Sequence, residues 1–179
     1  MKCVILDRDG VINHDAADHI KSPDEWRPIP GSLEAIARLN EAGYCVAVAT
    51  NQSGISRGLF DVETLGEIHG KMQSELARVG GRLSGIFYCP HVPEDHCDCR
   101  KPKAGLLRQI GETLQIELTD VPFVGDSVRD MQAAVAVGAW PVLVRTGHGE
   151  TSLASRNLPA RVAVYDNLAA VADELLQRP

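Results

Sequence analysis

Aromatic side chains are scarce in this chain, at two Trp, three Tyr and three Phe, or 4% of 179 residues. So few rings exclude a stacking platform for single-stranded nucleic acid. Positive charge is short as well. Eighteen Lys and Arg stand against 24 Asp and Glu, a net charge of −6, which excludes a surface built to neutralise a phosphate backbone. It does not exclude a small anionic substrate, because a local cluster of Arg and Lys overrides the global balance. No apolar run approaches the roughly 18 residues of a membrane span. The apolar part of the opening MKCVILDRDG is too brief for a secretory leader. There is no GxxxxGK[ST] nucleotide loop, and Gly54 and Gly58 make no dinucleotide fingerprint. Five cysteines, three of them crowded into one loop, are no disulfide framework. Cys3 and Cys45, in apolar stretches, are expected to be buried inert thiols. What remains is a soluble, cytoplasmic protein without nucleic-acid or membrane partners, expected to be a monomer.

The positive content is that of a globular chain, 44% apolar and 23% charged. Neither repeat nor linker divides it, so residues 1–179 are read as one domain. Short apolar runs at Cys3–Leu6, Tyr44–Ala49, Gly85–Tyr88, Pro122–Val124 and Trp140–Val144 read as strands. Between them lie helical periodicities. One runs from Leu33 to Gly43 and another from a cap at Asp61 to Gly80. Two more cover Leu106–Leu114 and Met131–Val137, and a last helix is capped by Asn167. Alternating strands and helices imply right-handed crossovers and a parallel sheet covered on both faces. The fold class is α/β, a doubly wound Rossmann-like sheet.

In such folds ligands bind beyond the carboxyl ends of the strands. The residues that follow the strands are therefore the informative ones. Asp7-Arg8-Asp9-Gly10 follows the first and Thr50-Asn51-Gln52-Ser53 the second. Arg100-Lys101 comes after the third, and Gly125-Asp126, with Asp130 four residues on, after the fourth. Asp7, Asp9 and Asp126 form an acid set suited to Mg²⁺. Thr50 offers a hydroxyl for a phosphoryl oxygen, Lys101 a compact positive charge, and Arg100 a planar fork for a second anionic group. The chemistry that fits is covalent phosphoryl transfer: a carboxylate attacks phosphorus, an acid protonates the leaving oxygen, and water cleaves the acyl phosphate. The polar segment Asn13–Pro30 is long for a connection and reads as a working loop.

From Cys89 to Cys99, three cysteines and two histidines fall within eleven residues. Cys89, His91, Cys97 and Cys99 make a closed tetrahedral set for Zn²⁺, with His96 a less favourable substitute for His91. Catalytic zinc keeps an open position and this set leaves none, so the zinc is read as structural. It would order the loop 89–103 and set Arg100 and Lys101 on the rim. A small zinc finger is disfavoured by the five residues between the ligand pairs and by the acidic chain.

Asp7-x-Asp9-Gly10-Val11, Thr50-Asn51, Lys101 and Gly125-Asp126 resemble the four motifs of the haloacid dehalogenase superfamily of phosphatases, in the family's order and spacing. The resemblance implies that Asp7 is the nucleophile and Asp9 the general acid/base. It gives Thr50 and Lys101 the role of stabilising the phosphoryl group, and has Mg²⁺ held by Asp7, the Asp9 carbonyl and Asp126. Asp130 matches a position where some members carry a further acid. The runs TNQSGISRG, YCPH…CDCRKP and DMQAA resemble a finer branch, the capless, zinc-containing D-glycero-D-manno-heptose-1,7-bisphosphate 7-phosphatases. That branch removes the 7-phosphate in heptose precursor biosynthesis, and it carries zinc at the same four positions. Asn51, Gln52, Ser53 and Arg100 become candidate contacts to sugar or anomeric phosphate. So do His14, Asp15, Asp18 and His19, for which a solvated loop is the alternative. The segment between His91 and Cys97 is short for the family, which bears on anomer preference. Histidinol-phosphate phosphatase is the neighbouring alternative, and a zinc-stabilised binding module without turnover is the rival of another class. His69 is expected at the surface or partly packed, His148 in a flexible turn, and Trp26 and Trp140 as packing residues.

Overall fold

A computed structural model describes residues 2–178; the two terminal residues of the expected domain, Met1 and Pro179, lie outside the described residues. Five strands fall where apolar runs place them: β1 (Cys3–Leu6), β2 (Cys45–Asn51), β3 (Gly85–Cys89), β4 (Pro122–Gly125) and β5 (Trp140–Val144). A sixth, β6 (Ala163–Tyr165), was not anticipated. Three half-buried residues at a sheet edge carry too little pattern to read. All pairings are parallel and the order is β3-β2-β1-β4-β5-β6. The chain winds outward from β1 to β3, returns to β4, and winds outward again. The switch point lies between β1 and β4, where the doubly wound reading places a ligand crevice.

Successive residues of a strand face opposite sides of the sheet. Val4 and Leu6 of β1 join Val46 and Val48 of β2 in one core, beneath α1 (Ser32–Glu41), α2 (Val62–Arg78) and α6 (Leu168–Gln177). Ile5, Ala47, Ala49 and Phe123 point the other way, against α3 (Gly105–Leu114) and α4 (Val128–Ala136). Trp26 is fully buried in the first core, so the segment 22–29 is packed while the residues just before it stay free to form a rim. Cys3 is buried, and burial first, then the neighbouring Cys45, pushes its thiol up to about 12. Trp140 is half-buried and packs beneath the Arg178 guanidinium.

Asp61 caps α2 by accepting from the Thr64 N–H (2.8 Å), and Asn167 caps α6 by accepting from Ala170 (3.0 Å), as the sequence indicates. Such caps contribute about 1 kcal/mol each. α4 begins three residues before the expected Met131, because Ser127 and Asp130 form a reciprocal capping box. The short α5 (Gly149–Leu153) also went unread. It turns the segment around His148 into a helix entry rather than a flexible turn. Among the described residues, no inserted domain covers the carboxyl edge of the sheet, and no helix is long and apolar enough to cross a membrane.

Candidate active site

The register of β1 against β4 pairs Leu6 with Val124. Asp7, one residue on, donates its N–H to the Val124 carbonyl (2.8 Å) and therefore lies beside Gly125-Asp126. Lys101 reaches the same point from the loop that follows β3. Its Nζ lies 2.9 Å from Asp7 Oδ2 and 2.7 Å from Asp130 Oδ1, and it donates to the Ala49 carbonyl (2.8 Å). Only 2% of this residue is exposed. Burial disfavours its charge, but Asp130 and Asp7 more than offset that and hold the ammonium above the usual lysine range. Asn51 fixes the lysine's backbone from both sides, donating to its carbonyl and accepting from its N–H, each at 3.1 Å. Its side chain thus holds Lys101, and the residue also lines the cleft where sequence suggested a sugar contact.

Carboxylate oxygens of Asp7, Asp126 and Asp130 lie within 4.8 Å of one another, with Lys101 as the cation among them. Burial, then repulsion by Asp130, pushes Asp126 up to about 6. Asp7 is also driven well above the carboxylate range, by burial and by both acids against the pull of Lys101. Asp130 is already engaged. Its Oδ2 accepts from the Ser127 N–H (3.0 Å) and hydroxyl (2.7 Å), while Oδ1 faces Lys101. Asp126 accepts from the His148 N–H (2.8 Å) and is seated between Gly10 (φ +80) and Gly147 (φ +58), where a Cβ on either would strike its carboxylate. Three acids, two of them buried and Asp7 partly so, are short of positive charge with one lysine. That donor set fits a hard divalent cation at Asp7 and Asp126.

Asp9 has the opposite surroundings. Its Oδ1 accepts from Arg8 Nε (3.1 Å), Arg8 Nη2 (2.9 Å) and Asn13 Nδ2 (2.9 Å), and its Oδ2 from Gln52 Nε2 (2.9 Å). Burial would raise this carboxyl, but Arg8, Asn13 and Gln52 outweigh it and hold it below the ordinary range. Gln52 also donates to Thr50 Oγ1 (2.9 Å), so it links two site residues while lining the cleft. Arg8 was missed by sequence reasoning. An arginine between two acids reads as solvated charge, and only its complete burial reveals a structural cation.

These groups open onto a cleft of about 770 Å³. Asn51, Gln52, Asp15, Asp18, His19, Ser53 and Arg100 line it as expected, but His14 does not. The His14 backbone N–H donates to the Arg27 carbonyl (2.9 Å), and the residue is exposed beside the cleft. His148 Nε2 lies 2.9 Å from Asp15 Oδ2 across the rim. Arg57 and Arg129 join Arg100 in the lining, and neither was singled out from sequence. Among the described residues none of the three has an ion-pair partner. Burial, and then its neighbours Arg129 and Arg57, hold Arg100 below the usual guanidinium range.

The cysteine loop starts at the end of β3, where Cys89 pairs in register with Asn51. Cys89, His91, Cys97 and Cys99 bring their donor atoms together, at 3.1 Å (Cys89–Cys99), 3.3 Å (His91–Cys99) and 3.6 Å (Cys89–Cys97). Those edges approach the ~3.7 Å expected when four ligands sit ~2.3 Å from a central zinc. His96 is exposed and stands outside the group. Burial opposes ionisation of Cys97, but the Arg100 N–H and the neighbouring thiols bring it down to about 7, the form a metal takes. The donor chemistry fits zinc.

A model of the haloacid dehalogenase-like hydrolases matches residues 4–138. The chain belongs to this family. It is 54% identical over 99% of both chains to D-glycero-beta-D-manno-heptose-1,7-bisphosphate 7-phosphatase of Bordetella bronchiseptica. It is 56% identical to the protein of that name from Pseudomonas aeruginosa, over 97% of each. The crystal structure of D,D-heptose 1,7-bisphosphate phosphatase from B. bronchiseptica, complexed with magnesium and phosphate, superposes with a TM-score of 0.97 over 99% of both chains. The corresponding enzyme of Burkholderia thailandensis, 48% identical, gives 0.80 over 99% of this chain and 100% of that one. This haloacid dehalogenase-like hydrolase thus shares the fold of its bisphosphatase relatives over nearly its full length.

Proposed function

We propose that this hydrolase removes the 7-phosphate of D-glycero-D-manno-heptose 1,7-bisphosphate through an aspartyl-phosphate on Asp7. The observation that carries the reading is one cleft with two kinds of phosphate site. Asp7, Lys101 and Thr50 line it together with three arginines that have no acidic partner among the described residues. Asp7 attacks phosphorus as the bond to the sugar oxygen breaks, and Asp9 supplies that oxygen with a proton. Water then attacks phosphorus, giving its proton to Asp9 and freeing Asp7. At rest Asp9 is held as the carboxylate, the form that accepts this proton. The incoming phosphate dianion raises its proton affinity for the first half-reaction, as a nearby like charge does. Lys101 and the Thr50 hydroxyl stabilise the transferring oxygens.

Mg²⁺ bound by Asp7, the Asp9 carbonyl and Asp126 would offset the repulsion between carboxylate and phosphate. A structural zinc on Cys89, His91, Cys97 and Cys99 would hold Arg100 and Lys101 in place. Arg100, with Arg57 and Arg129, receives the 1-phosphate, and Ser53, Asp15, Asp18 and His19 meet the sugar. The same reading makes the chain one domain acting as a cytoplasmic monomer in heptose precursor biosynthesis.

Its test is phosphate release, with Mg²⁺, from the α and β anomers of the bisphosphate and from histidinol phosphate. The β anomer is expected to react fastest, in line with the names of the relatives. Faster turnover of histidinol phosphate would overturn the substrate and leave the residue roles standing. No turnover of any of them would favour a binding module.

A further inference from the structure

Asp9 is not held by neighbours on its own loop alone. Arg8, wholly buried, spends Nε and Nη2 on the Asp9 carboxylate, and its remaining arm, Nη1, lies 3.1 Å from His69 Nε2. A guanidinium has no lone pair to offer, so Nη1 donates and the histidine accepts. That bond fixes the ring as the neutral tautomer with its proton on Nδ1. A protonated His69 would bury a second cation against Arg8. Burial and that guanidinium push the ring down to about 3, leaving it a neutral acceptor at any ordinary pH. His69 stands on the buried face of the seventeen-residue helix α2, among Leu65, Ile68, Met72 and Leu76. Its ring is therefore fixed to a packed helix rather than to a loop.

A guanidinium presents its donors in one plane at fixed angles. Anchoring one arm sets the direction of the other two. We propose that His69 and Arg8 form a positioning relay, in which the helix-borne imidazole orients the guanidinium and the guanidinium aims the Asp9 carboxylate for proton transfer. The relay rests on the reading of Asp9 as the proton-transfer group. Neither residue touches the substrate. Their effect is confined to the step in which Asp9 moves a proton, so it depends on how much the leaving oxygen needs one.

The experiment compares kcat/KM for the heptose bisphosphate, whose alkoxide must be protonated, with that for p-nitrophenyl phosphate, whose phenolate leaves unaided. This ratio reports phosphoryl transfer to Asp7 and is insensitive to later hydrolysis. His69→Leu removes the acceptor, His69→Asn is too short to reach Arg8, and His69→Gln places an amide oxygen where Nε2 stood. Expected is a loss of about ten- to a hundredfold on the sugar substrate for Leu and Asn, part of the ~10²–10⁴ that acid–base catalysis supplies. KM should hold, the aryl substrate should change by less than about threefold, and Gln should recover most of the sugar activity. Should the Leu variant not fold, as judged by its melting curve, the Asn and Gln pair decides alone. Equal losses on both substrates, or no recovery in Gln, would mean a structural role and overturn the relay. Asp9→Asn run in parallel separates the two readings. If it shows no leaving-group dependence, Asp9 is misassigned and the relay falls with it. If it does and the His69 variants do not, the relay alone is wrong.

Discussion

Asp7 and Asp9 are the same side chain two positions apart, and their surroundings drive them in opposite directions. Asp7 shares a buried pocket with two other acids and is pushed up, while Asp9 gathers five hydrogen bonds from three donor residues and is pulled down. A divalent cation at Asp7 would favour its carboxylate, the form that attacks, against the burial and repulsion that raise it. With Asp7→Asn the carboxylate nucleophile is gone but the shape is kept, so kcat should fall to on the order of 10⁻⁴ of its value or lower. Retained turnover in that variant, measured as phosphate release, would sink the nucleophile assignment. Arg57→Ala and Arg129→Ala act elsewhere in the cleft. If they receive the second phosphate as proposed, each substitution removes a charge-assisted contact, and KM for the bisphosphate should rise by about ten- to a hundredfold. A sugar monophosphate lacking the anomeric phosphate should be turned over as before, and an equal loss on both sugars would place those arginines at the reacting phosphate.

At the scale of elements, the cysteine loop depends on a strand. Cys89 is the last, buried residue of β3, in register with Asn51, and Asn51 in turn clamps the Lys101 backbone. The remaining ligands are only partly buried, so beyond Cys89 the loop has little apolar anchorage. Cys99→Ser, or removal of zinc by a chelator, should loosen residues 90–103 and raise KM through Arg100. The sheet should survive, with an unchanged far-ultraviolet circular dichroism spectrum. Full activity in demonstrably zinc-free protein would show that the loop needs no metal to place Arg100 and Lys101.

For the whole molecule, the acid cluster ties stability to pH and to Mg²⁺. Burial and then Asp130 push folded Asp126 up to about 6, against an ordinary value of 3.8. A raised folded value means that its contribution to stability is present below about 4 and is lost as pH climbs through 6. Mg²⁺ takes the deprotonated form, so it competes with protons below that value. The rise in melting temperature on adding Mg²⁺ should therefore be larger at about pH 7.5 than at about pH 5. Identical shifts at both would argue against Asp126 as a ligand.

Much of this protein is local pattern, and local pattern is what a sequence carries. Apolar runs placed five of the six strands, the caps at Asp61 and Asn167 were legible, and so were the acids after β1 and β4, Lys101 and the four cysteine-loop ligands. Each is a residue type at a characteristic place along the chain. What the chain alone did not show are contacts between positions far apart in it. Asn51 and Gln52 read as cleft residues, and they line the cleft, but nothing local says that one will also grip Lys101 and the other Asp9. Arg8, which sequence did not single out, and His69, expected at the surface or partly packed, lie sixty-one residues apart until the packing of α2 against the sheet brings them together. Arg57, Arg100 and Arg129 became a cluster only when two separate loops and the first turn of α4 met at one rim. The residue types follow from sequence, whereas their partners follow from the parallel register of β1, β2 and β4 and from the helices laid across it. Those contacts are paid for by burial of the whole core, so no short stretch of sequence encodes them.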